Sequence, residues 1–222
     1  MKISAGLFFL FMPVLLNAQS VHFNIQGTVK NLGDAKYAYL ATPHDGKIFI
    51  KAPIVNNVFS FIGTDSLDRL YSPTCIFIDE KDNITKDELK SKIDQGVWIL
   101  GREGRLKRII LEDLKFSIED QEKMNAAEII SGGVMTKQFE EKTLCVRAKN
   151  RSLITFIKKY PDSPVSLIAV QEVAKFWELS IKDRVENMWG SPMELYALLS
   201  KELKASKQGI AVKERIDESD RP

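Results

Sequence analysis

Cysteine and histidine are nearly absent from this chain, with two of each in 222 residues. Cys75 and Cys145 lie far apart, so there is no C-x-x-C dithiol, and neither cysteine stands near His22 or His44 at a metal-ligand spacing. No segment has the strand–turn–helix signature of a nucleophile elbow. A Ser-His-Asp arrangement is left open, since its members need not be near in sequence. One-sided charge is missing too. Lys and Arg total 32 against 30 Asp and Glu, a formal net charge of +2, too little to set up a global field for nucleic acid or a lipid surface. The acidic pairs Glu112-Asp113 and Glu140-Glu141 read as surface charges, because adjacent residues point in different directions on a helix and to opposite faces on a strand. No internal repeat or low-complexity linker is visible. The sequence therefore assigns no catalytic, cofactor-binding or metal-ligating residue.

The longest apolar run is short and lies at the start. Lys2, the run Leu7 to Leu16, and a polar stretch ending in the small residue Ala18 have the anatomy of a secretory signal. The run is too brief for a bilayer span and Pro13 interrupts it. Residues 1–18 are read as a signal peptide cleaved after Ala18; an uncleaved anchor is the alternative. No cysteine sits there to take a lipid. The 44% apolar content fits an ordinary folded protein, and the rest of the chain can bury roughly 70% of its unfolded surface.

From Val21 the apolar residues alternate. Strands are expected around Phe23–Val29, Tyr37–Ala41, Ile48–Ala52, Val58–Ile62 and Tyr71–Ile78, with Asn31–Asp34, Asp45-Gly46 and Asn56-Asn57 as turns. A charged stretch, Asp79–Asp94, reads as a loop with a helical turn. Further strands are expected at Val97–Leu100, Leu106–Leu111, Leu114–Ile118 and Ala126–Ile130. Many short strands predict an antiparallel β-sandwich or small barrel over 19–133. The one basic cluster, Arg102, Arg105, Lys107 and Arg108, reads either as a solvated turn and strand face or as a grip for a phosphate or acidic glycan. Its glycines, Gly101 and Gly104, do not have the spacing of a phosphate loop. The sequons at Asn83 and Asn150 read as coincidence.

After Gly132-Gly133 the period changes. Phe139, Val146, Leu153 and Tyr160 recur every seven residues, with Phe156 and Ile157 beside them, as on a helix broken near Asn150. Pro161 ends that helix; Ser163 caps the next, with Pro164 in its first turn. Leu167, Val170, Val173, Ala174 and Trp177 mark the second stripe, and Ile181–Trp189 a shorter helix. Ser191-Pro192-Met193-Glu194 is a capping box opening a last long helix, closed by Gly209 as a left-handed cap. The expectation is thus an α+β protein with a helical region, a hairpin or bundle, at 134–209 and a charged, loose tail at 210–222.

The corner Phe156-Ile157-Lys158-Lys159-Tyr160-Pro161-Asp162-Ser163-Pro164-Val165-Ser166-Leu167 resembles a helical signature in envelope proteins of Gram-negative bacteria. There it follows a β-rich domain of unknown function and precedes a thioredoxin-like, TlpA/ResA-type (AhpC-TSA-like) disulfide reductase module. The resemblance runs from Phe23 to about Ile216. It implies an exported, periplasmic or envelope protein associated with thiol-redox chemistry. Reductases of that kind use a C-x-x-C pair, which this chain lacks, and a thioredoxin-like module needs on the order of 100 residues beyond the tail. The expected function is a non-enzymatic module that binds or positions a partner, a thioredoxin-like protein or a second copy, through its helical region. The alternatives are a redox relay through Cys75 or Cys145, or a truncated reductase without an independent role. The two cysteines are expected to be unbonded to each other, although an oxidising compartment favours pairing. Phe176, Trp177, Met188, Trp189 and Met193 either form a docking surface or close the helical core.

Overall fold

The computed structural model describes residues 20–42, 49–94 and 104–219. Strand β1 (Ser20–Asn31) alternates as its sequence does, with Phe23, Ile25 and Val29 buried and His22, Asn24 and Thr28 exposed. It pairs antiparallel with β4 (Val58–Ser66). On its other side it pairs parallel with β7 (Leu114–Asp120), Ile25 opposite Leu114 and Val29 opposite Ile118. The expected all-antiparallel arrangement is corrected here. The chain makes the whole second sheet between β1 and β7, and a crossover of that length permits a parallel neighbour. Strand β8 (Glu128–Gly132) completes the order β4-β1-β7-β8.

The second sheet has the order β3-β2-β5-β6, all antiparallel. Its strands are β2 (Tyr37–Ala41), β3 (Phe49–Pro53), β5 (Thr74–Asp79) and β6 (Lys107–Ile109). Among the described residues neither sheet closes into a barrel. One apolar cluster draws Phe23, Ile25, Phe59 and Phe116 from the first sheet and Leu40, Ile76, Ile78 and Ile109 from the second. All six residues of β5 are buried because its other face is covered too, by Ile84, by Leu89 of helix α1 (Lys86–Asp94) and by Leu106. The strand at Val97–Leu100, the Asp45-Gly46 turn, the signal segment, His44 and Arg102 lie outside the described residues.

Gly132 and Gly133 are both left-handed, and helix α2 (Val134–Ala148) starts directly after them. Lys149 and Arg151 are left-handed as well, which breaks the stripe where expected and starts α3 (Ser152–Lys159). At the corner the Val165 N–H donates to Ser163 Oγ at 3.1 Å and Ser166 Oγ donates to the Tyr160 carbonyl at 2.6 Å. Helix α4 (Pro164–Leu179) follows, then α5 (Lys182–Trp189).

The single long helix expected from Pro192 is three: α6 (Pro192–Ala197), α7 (Lys201–Ala205) and α8 (Lys207–Ser219). Serines make the breaks. Ser200 Oγ accepts from the Leu203 N–H at 3.2 Å and Ser206 Oγ from the Gly209 N–H at 3.0 Å, each capping a new helix. Gly209 is not a left-handed cap. It sits in the first turns of α8, where a Cβ would lie 2.1 Å from the Leu203 carbonyl oxygen. The expected loose tail is corrected likewise, since Val212 and Ile216 bury against the helical core, which a charged segment can do through one apolar face. That core also takes in Ile110, from the β6–β7 connection. No helix among the described residues is long and apolar enough to cross a membrane.

Candidate functional site

Among the described residues strand β6 is an edge strand, bonded to β5 on one side only. Its other side faces a cleft of about 420 Å³ roofed by α2 and closed at one end by Asn125 and Ala127. Asn125 comes from the 3-10 turn Gln121–Ala126 that precedes β8. Its N–H donates to the Gly104 carbonyl at 2.8 Å. A Cβ at Gly104 would lie 2.0 Å from the Asn125 side chain, so this wall exists because residue 104 has none. Volumes of several hundred Å³ are those of small-molecule sites.

Among the described residues three cations line the cleft, Lys107, Arg108 and Arg147, with one carboxylate, Glu140. Lys107 is only 3% exposed and its ammonium donates to the Ala127 carbonyl at 2.8 Å and to Glu140 at 2.5 Å. It is a bolt between β6, the approach to β8 and α2. Arg108 and Arg147 differ: both are exposed, and among the described residues neither has a carboxylate partner. Alternation along β6 separates Lys107 from Arg108, turning one toward α2 and the other outward. Leu106, Phe139 and Leu144 supply apolar wall, and Leu144 is 65% exposed at the rim.

The charge of Arg108 is felt by its neighbours. Cys75 is its cross-strand partner; burial pushes that thiol up to about 11 and Arg108 draws it only partly back. Lys142 is also affected. Burial holds its ammonium below the ordinary value, Glu172 opposes this with bonds at 2.8 and 2.7 Å, and Arg108 adds to the lowering. The Lys142 ammonium also lies 4.3 Å from the centre of the Phe139 ring.

Of the described members of the basic cluster, then, Arg108 alone lines the cleft without a carboxylate partner. Arg105 is tied to Glu122, its Nε donating at 2.6 Å. The acidic pairs stand at the surface as expected, Asp113 and Glu140 exposed and Glu112 and Glu141 half-buried, and each carboxylate also holds a partner. Glu112 accepts from the first turn of α2, Asp113 accepts from the Asn24 N–H at 2.9 Å, Glu140 holds Lys107, and Glu141 holds Lys159 at 3.0 Å and the Tyr160 hydroxyl at 2.9 Å. Arg147, Asn125 and Thr143 complete the cleft and have no signature in the sequence; only the fold brings them to Arg108.

Both cysteines are free thiols, Cys75 buried and Cys145 half-buried on α2. Among the described residues no three His, Cys, Asp or Glu side chains are grouped to hold a metal. The apolar residues around α5 divide. Trp177 and Trp189 are buried, the Trp189 indole N–H donating to the Val146 carbonyl at 2.8 Å. Phe176 and Met193 are exposed, and Met188 is half-buried. Comparison of the chain with protein-family models, with curated proteins and with solved structures found no match.

Proposed function

We propose that this protein is an exported, non-enzymatic module of the Gram-negative cell envelope that binds or positions a partner of the thiol-redox machinery. The observation that carries the binding reading is the cleft between β6 and α2, with two guanidinium groups that have no carboxylate partner among the described residues. Its architecture in this reading is a β-sandwich, its two sheets sharing one apolar cluster, with a helical bundle docked against it by the Lys107–Glu140 bolt. The redox context comes from the corner Phe156–Leu167 and its resemblance to envelope reductases.

The thiol chemistry of Cys75 disfavours a relay through that residue. A thiol with a pKa near 11 is thiolate in only about one molecule in ten thousand at pH 7, and the thiolate is the nucleophile. Cys75 therefore should resist alkylation in the folded protein and react only on unfolding. The deciding test is an insulin-disulfide reduction assay beside sedimentation of the protein with a purified thioredoxin-like envelope oxidoreductase. The reading expects no turnover and a reversible complex. Turnover that disappears in Cys75→Ser or Cys145→Ser would establish the relay in its place.

A further inference from the structure

We propose that the cleft between β6 and α2 binds a small organic anion, a carboxylate or phosphate on an apolar body, held by Arg108 and Arg147. This rests on the reading of that cleft as a binding site and names what it takes.

The argument begins with charge. The chain is almost neutral, at +2, and its folded surface pairs many of its cations. Lys30, Lys81, Arg105, Lys107, Lys142, Arg151, Lys159 and Arg215 all hold carboxylates. Other cations, among them Lys115, Lys137 and Lys158, form no ion pair among the described residues either; what distinguishes Arg108 and Arg147 is that both line one cleft. Among the described residues of the cleft Glu140 is already taken by Lys107, and no second carboxylate faces the guanidinium pair.

Guanidinium groups select the head of the ligand. Their planar forks of N–H donors match the two oxygens of a carboxylate or the face of a phosphate. Asn125 and Thr143 add neutral polar groups on the same lining. The walls select the body. Leu106 and Phe139 are buried apolar neighbours of the charged groups, and Leu144 stands exposed at the rim. An apolar body laid against Leu144 removes that surface from water, worth roughly 25 cal/mol per Å². Inorganic phosphate satisfies only the first half of this description.

Calorimetric titration of the purified protein with phenyl phosphate, phenylacetate and inorganic phosphate tests the assignment. Phenyl phosphate or phenylacetate should bind saturably and several-fold more tightly than inorganic phosphate; whichever is tighter identifies the head group. Arg108→Gln and Arg147→Gln should each weaken that binding by about tenfold or more, the loss expected for a charge-assisted hydrogen bond. Both residues are exposed, so the variants should melt as the parent does. Arg215→Gln, whose guanidinium holds Glu178 on another part of the molecule, should bind as the parent does. Absence of saturable binding by all probes up to about 10 mM, or parental affinity in both arginine variants, would overturn the proposal. Disulfide turnover in the insulin assay would remove the non-enzymatic reading without touching this titration, so the two can fail separately.

Discussion

Glu112 caps helix α2 from outside it. Its carboxylate accepts from the Thr136 N–H at 2.6 Å, from the Thr136 hydroxyl at 2.8 Å and from the Met135 N–H at 3.1 Å. The residue at the usual capping position is Gly133, which has no side chain to do this. A negative charge at a helix N-terminus also meets the positive end of its dipole. One residue of the β6–β7 connection thus fixes the start of the helix that roofs the cleft. Glu112→Ala should cost about 2 kcal/mol in urea unfolding, at the upper end for a lost cap. Glu112→Gln should lose less. A cost under about 0.5 kcal/mol for the alanine variant would show that the cap is not needed.

Lys142 and Glu172 form an unequal pair, with the lysine side chain 3% exposed and the glutamate 37%. Removing the buried partner leaves a carboxylate that water can reach. Removing the outer one leaves an ammonium that it cannot. Glu172→Gln should therefore cost about 2 kcal/mol, and Lys142→Met less.

The same pair predicts a pH dependence. The folded-state pKa of Lys142 lies below its ordinary 10.5, so the unfolded chain binds more protons in the window just below 10.5 and stability from this group rises with pH there. Without Glu172 the lowering deepens, and the ammonium of the folded variant gives up its proton earlier. The stability gap between Glu172→Gln and the parent should narrow between pH 7 and pH 9.5. A gap that does not change with pH would contradict the assignment.

Trp189 lies in the helical core, 6% exposed with its N–H bonded to Val146. Trp189→Ser should cost about 3–5 kcal/mol, as truncations of buried large aromatics do, and leave light scattering unchanged. Phe176, 43% exposed with its ring 5.1 Å from that of Trp189, should cost far less on the same change. An unchanged melting temperature for Trp189→Ser together with altered assembly would return that residue to the role of a docking contact.

Local pattern made much of this fold legible. Alternation located β1, β2, β4 and β7 within a few residues, and the Ser163-Pro164 and Ser191-Pro192 caps appear where the sequence places them. What stayed hidden depends on long-range pairing. The parallel match of β1 to β7 has no local signature, and neither has the burial of Lys107, which is possible only because Glu140 and Ala127 meet it from elsewhere. The last helix was hidden for another reason. Val212 and Ile216 are too few to announce an amphipathic face among charges, and Gly209 resembles a stop until the close approach of the Leu203 carbonyl is seen. The cleft was half legible: the cluster containing Arg108 stands out, but Arg147 joins it only through the packing of α2 on β6.

The central claim, a binding cleft at the seam of sheet and helix, meets its most direct test in amide chemical-shift mapping of the isotope-labelled protein titrated with phenyl phosphate. The account predicts saturable shifts concentrated at Gly104 to Arg108, Asn125 to Ala127 and Phe139 to Arg147, with the corner at Tyr160–Ser166 unmoved. Shifts scattered over the surface without saturation, or gathered around Phe176 and Met193 with Arg108 and Arg147 still, would contradict it.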